Sequence, residues 1–86
     1  MIEGEHSARF MQRFRALRRA RKLSVQAVSD SSGVPRATIA SMENGKPFRL
    51  RLDEAFVLAD ALGVELSVFT DVDGSRFAEL LVGVLR

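Results

Sequence analysis

The chain has 86 residues, 47% of them apolar and 28% charged, with no cysteine and one histidine, a length that suits one small domain. Disulfides, cysteine nucleophiles and thiolate or histidine metal clusters are excluded, and a large enzyme cleft has no room to form. The net charge of +2 hides a gradient: residues 1–51 hold 11 Lys/Arg against 4 Asp/Glu, a balance of +7, while residues 52–86 hold 2 against 7, a balance of −5.

Such an asymmetry points to a polyanionic partner for one end, the alternative being a solvated surface whose charges cluster. Eleven of the 13 basic residues are arginine, whose planar fork suits bidentate contact with phosphates and base edges. No apolar run approaches the ~20 residues of a spanning helix, and the opening Met-Ile-Glu-Gly-Glu-His is too acidic for a signal peptide. The expectation is a soluble, cytoplasmic binding domain without a metal or cofactor.

Residues 1–6 are expected to form a flexible lead. Ser7 is the expected N-cap of a first helix in which Phe10, Phe14 and Leu17 share one face and Arg15, Arg18, Arg19 and Lys22 line the other. Leu23-Ser24 breaks it. Ser24 caps a short second helix to about Ser31, and Ser32-Gly33-Val34-Pro35 punctuates, with Gly33 free to turn left-handed and Pro35 suited to a first helical turn. A third helix over 35–43 ends at Asn44-Gly45, and residues 46–51 make a basic loop.

The fourth helix, about 52–62, is expected to place Leu52, Ala55, Phe56, Ala59 and Leu62 on one side and to stop at Gly63. Val64 to Phe69 makes one more short helical turn. After the Asp71-Val-Asp-Gly74 linker, Ser75 caps a last helix in which Phe77, Leu80, Leu81, Val84 and Leu85 follow the i, i+3, i+4, i+7, i+8 pattern. No strand alternation interrupts this series, so the fold class is all-α.

Two short helices joined at Gly33 make a helix-turn-helix, whose second helix can lie in a major groove. On the third helix Ile39 and Met42 point one way, and Arg36, Ala37, Ala40 and Ser41 nearly opposite. One Arg among small residues is a face that can approach DNA closely: Arg can reach guanine O6 and N7, Ser can donate, and an Ala methyl can meet a thymine methyl. The alternative is a plain exposed face.

From Phe14 to Phe69 the chain resembles the Cro/lambda-repressor type of helix-turn-helix protein, the XRE family. The matching marks are Leu17-Arg18, Leu23-Ser24, Gly33, Ile39, Glu43-Asn44-Gly45-Lys46 and Leu58-Ala59-Asp60-Ala61-Leu62-Gly63-Val64, within a run of 56 of the 86 residues. The resemblance implies a compact five-helix lambda-repressor-like domain over residues 7–70, with residues 75–86 as an additional C-terminal helix. It implies an Arg18–Glu43 ion pair and base reading by Arg36, Ala37 and Ser41. It also implies phosphate contacts from Ser24, Thr38, Asn44, Lys46, Arg49 and Arg51. Ser24 and Asn44 can instead act as caps alone, and Lys46, Arg49 and Arg51 as solvated loop charges.

The second helix departs from the family pattern. Val25, Ala27, Val28-Ser29 and Ser32 stand where the family usually has Gln, Glu, a Leu-Ala pair and a large apolar residue. The Gln that supports phosphate binding is absent, and Ser24 with Ala27 lacks the acid of a capping box, so a weaker second helix is expected. Pro35 also replaces the usual Ser or Thr.

Phe77, Leu80, Leu81, Val84 and Leu85 are expected to meet a twofold mate or a partner protein, or to pack back on the monomer. Gly83 weakens that helix by ~1 kcal/mol, so it needs a surface to stay ordered. The functional expectation is a sequence-specific double-stranded DNA-binding regulator, a homodimeric repressor occupying an operator. The rival is a protein-interaction module, such as an antitoxin whose C-terminal helix covers a toxin. An enzyme finds no support: Asp53, Glu54 and Asp60 read as a solvated face, and Asp71 and Asp73 lack the other ligands of a calcium loop.

Overall fold

The computed structural model describes residues 5–46 and 49–85, the side chains of Glu5 and Leu85 excepted. Six helices follow one another: α1 (Glu5–Ala20), α2 (Val25–Ser32), α3 (Arg36–Glu43), α4 (Leu52–Ala61), α5 (Ser67–Thr70) and α6 (Ser75–Leu85). Among the described residues the elements are all helices, a five-helix body and one further helix at the C-terminal side.

The apolar period of α1 puts Phe10, Phe14 and Leu17 in full burial. Phe10 and Phe14 meet Phe69 of α5 edge-on, with ring centroids 5.1 and 5.9 Å away, a geometry worth about 0.5–1.5 kcal/mol per pair beyond area burial. Leu17, Val28, Ile39, Leu50, Leu58 and Val68 complete the centre, each buried aliphatic side chain contributing roughly 1.5–3 kcal/mol.

Three sequence expectations change here. Helix α1 begins at Glu5, so Ser7 is an interior, buried residue instead of its N-cap; Glu5 and His6 of the expected lead are helical, and residues 1–4 lie outside the described residues. The break after α1 falls on Lys22, which adopts a left-handed φ of 58° while the Leu23 N–H donates to the Arg18 carbonyl at 3.1 Å. On α4 the inward row is Ala55, Leu58, Ala59 and Leu62. Leu52 and Phe56, expected on that side, are 48% and 54% exposed. Apolar residues flank the Ala55–Ala59–Leu62 row on both sides, and α2, packed against α4, selects the Leu58 flank.

Helix α6 lies against α1 and α5. Phe77, Leu80, Leu81 and Val84 are partly buried against the core of their own chain, while the side chain of Leu85 lies outside the described residues. Polar contacts fasten the same junction. Arg13 of α1 donates to the Val68 carbonyl at 3.2 Å and stands 5.7 Å from the Phe77 ring centroid. Arg76 meets Glu65 at 2.6 Å. Packing within the chain thus gives α6 the surface that Gly83 makes necessary. Among the described residues no helix is long and apolar enough to cross a membrane.

Candidate nucleic-acid interface

Helices α2 and α3 owe their separation to three residues, Gly33, Val34 and Pro35. Ser24 caps α2 by accepting the Ala27 N–H at 3.0 Å. At the other end Gly33 takes φ 79°, and its N–H reaches the Ser29 carbonyl at 2.9 Å. That left-handed closure is open to glycine without a Cβ clash. Pro35, with φ −56°, starts α3 where a missing N–H leaves no bond unmade. Gly45, φ 80°, closes α3 behind Asn44, whose own φ of −85° is ordinary.

The far end of α3 is anchored to α1. Arg18 Nε and Nη2 donate to the two carboxylate oxygens of Glu43 at 2.7 and 2.6 Å, and Nη1 donates to the Leu23 carbonyl at 2.7 Å. Both side chains are nearly buried, 11% and 4% exposed. The Glu43 hydrogen bonds outweigh desolvation and raise the Arg18 guanidinium above its ordinary value. Arg18 is therefore absent from the solvent stripe expected along α1, where Arg19 and Lys22 are exposed and Arg15 half-buried.

With Ile39 and Met42 buried beneath it, α3 presents its other side outward. Arg36 and Ala37 are exposed there, and Thr38, Ala40 and Ser41 half-buried. Ser24 is exposed at the start of α2, and Asn44, Lys46, Arg49 and Arg51 are exposed after α3. Arg51 pairs loosely with Asp53 at 3.3 Å, both side chains 68% exposed, an arrangement that solvent screens to little energy. The Arg51 N–H is accepted by Glu54 at 3.3 Å, which starts α4 with an acid in its first turn.

Several polar residues with structural roles escape sequence reasoning. Arg21 donates to the Leu62 carbonyl at the end of α4, supplying a cation where a helix C-terminus favours one. Its signal was present: residue 21 continues the 10, 14, 17 spacing on the apolar face, where a long arginine stem can lie while its head reaches a polar group. Ser29 and Ser32 bind Val34 across the turn. Leu50, expected in a basic loop, is fully buried.

An all-helical domain with a glycine-turned helix pair and an arginine-bearing outer helix is a helix-turn-helix domain. The helix-turn-helix family model matches residues 14–69, and the chain belongs to this family, the XRE type of DNA-binding transcriptional regulators. No curated protein and no solved structure matches it.

Proposed function

We propose that the protein is a sequence-specific repressor that occupies a double-stranded operator as a homodimer in the cytoplasm. Helix α3 enters the major groove, with Arg36, Ala37 and Ser41 reading base edges. Ser24, Thr38, Asn44, Lys46, Arg49 and Arg51 contact phosphates, which position the protein without specifying sequence. The observation that carries this reading is the outward face of α3. It is exposed at Arg36 and Ala37, opposite the buried Ile39 and Met42, on a helix fixed at its far end by the Arg18–Glu43 pair.

The dimer reading rests on groove geometry: two recognition helices about one helical turn apart bind a palindrome. The expected α6 interface now rests on whatever its stripe leaves uncovered, because Phe77, Leu80, Leu81 and Val84 already pack within the chain. The experiment is selection of bound duplexes from a random pool near physiological salt, with wild type beside Arg36→Ala. The expected result is a palindromic motif that loses one position per half-site in the variant. No enrichment by a folded, helical sample overturns the reading.

A further inference from the structure

The turn between α2 and α3 carries two hydrogen bonds that its backbone does not require. Ser29 Oγ donates to the Val34 carbonyl at 2.7 Å, and Ser32 Oγ accepts the Val34 N–H at 3.1 Å. Both peptide groups of the middle turn residue are thus held by side chains of the preceding helix, while the Val34 side chain is itself buried. The next residue, Pro35, has φ set by its ring. The torsions that remain to steer α3 are few, and those at Val34 are the ones the two serines restrain. These serines occupy the positions where the chain departs from the usual Leu-Ala pair and large apolar residue.

The geometry points to Ser29 and Ser32 as positioning residues: a hydroxyl clamp on Val34 sets the direction of α3 relative to α2. Its value to DNA recognition rests on the function proposed above; the clamp itself is a property of the free protein.

The test uses the full ¹⁵N-labelled chain as wild type, Ser29→Ala, Ser32→Ala, the double alanine variant and Ser32→Thr. Loss of one partner is expected to speed Val34 amide exchange about fivefold in Ser32→Ala, the factor that one net hydrogen bond supplies. Helicity by circular dichroism stays at the wild-type level, while the N–H dipolar couplings of α3 rotate as a block relative to those of α2. On DNA, affinity for the duplex recovered by selection falls roughly tenfold, about one base contact. Affinity for an unrelated duplex at the same salt stays within about twofold, because phosphate contacts tolerate a tilted helix. Ser32→Thr, which keeps the hydroxyl, restores both readouts.

Unchanged exchange and couplings in the alanine variants overturn the clamp. So does a parallel loss of affinity for both duplexes, which marks the serines as holding the fold alone. Should the double variant unfold, the two single variants and the threonine rescue carry the same readouts. A wild type that enriches no duplex removes the DNA reading, and the clamp then stands or falls on exchange and couplings in the free protein.

Discussion

The arginines of α1 and those of α3 and the loop behind it illustrate two uses of one side chain. Along α1 and in the turn directly after it, Arg13, Arg18 and Arg21 donate to the carbonyls of Val68, Leu23 and Leu62, and so tie this segment to α5, to the chain just past α1 and to the end of α4. Beyond Gly33, Arg36, Arg49 and Arg51 are exposed. Three of the eleven basic residues of the N-terminal part are therefore engaged in holding helices together. On the proposed reading, the later group of Arg36, Lys46, Arg49 and Arg51 faces the polyanion. Charge counted along a sequence overstates a binding surface wherever arginine can reach orphaned helix carbonyls.

The largest effect should come from breaking the inward group at its most buried point. Glu43→Ala leaves the Arg18 guanidinium almost buried and without its counter-charge, a loss of roughly 3 kcal/mol. For a domain of this size that lowers Tm by on the order of 15 °C, measurable by thermal unfolding followed by circular dichroism. Removing both charges as Arg18→Met/Glu43→Leu should recover most of the loss, because what destabilises is the abandoned charge more than the missing attraction. A double variant as unstable as Glu43→Ala would show that the pair itself carries the stability.

The outward group should behave in the opposite way. Arg36→Ala is expected to leave folding stability within about 0.5 kcal/mol of wild type, and so Tm nearly unmoved, and to lose ~1–3 kcal/mol of discrimination at one base position per half-site. Competition binding against single-base variants of the selected duplex measures it. A fall in Tm without a change in the motif would move Arg36 into the inward class.

Lys22 sits between the two groups. Its left-handed φ of 58° is strained for a residue with a Cβ, and Lys22→Gly should relieve ~1 kcal/mol, less what the lost cation contributed at the C-terminus of α1. Urea unfolding should show a higher midpoint with an unchanged slope. A lower midpoint would mean that the lysine charge outweighs the backbone strain.

How much of this was legible depends on whether a signal is local. The helices of the body, the Gly33 closure and the Ser24 cap rest on neighbouring residues and on a 3.6-residue period, and these are visible in a string of letters. The Arg18–Glu43 pair was legible only through family resemblance, since 25 residues separate its members and both read locally as solvated charges. Three features needed the tertiary neighbour. Leu50 has no period in a loop, Leu58 and Phe56 flank one helical row on opposite sides, and Ser29 and Ser32 read as poor helix formers until their bonds to Val34 are seen. The C-terminal stripe was legible as apolar, but its choice between its own chain and a partner was not, because a stripe carries no address.

Lys46 gives the smallest and most discriminating effect. It is exposed just behind the C-terminus of α3, and on the proposed reading it meets a phosphate, so it contributes through counterion release and carries no sequence information. Lys46→Ala should flatten the slope of log affinity against log salt by about 0.9 per site while weakening selected and unrelated duplexes by the same factor, leaving both motif and Tm untouched. Titrations of both duplexes over a series of salt concentrations measure the two quantities together. A loss confined to the selected duplex would place Lys46 on a base, extending the reading surface past α3. An unchanged slope would leave it a solvated charge and shift phosphate binding onto the other residues that flank α3.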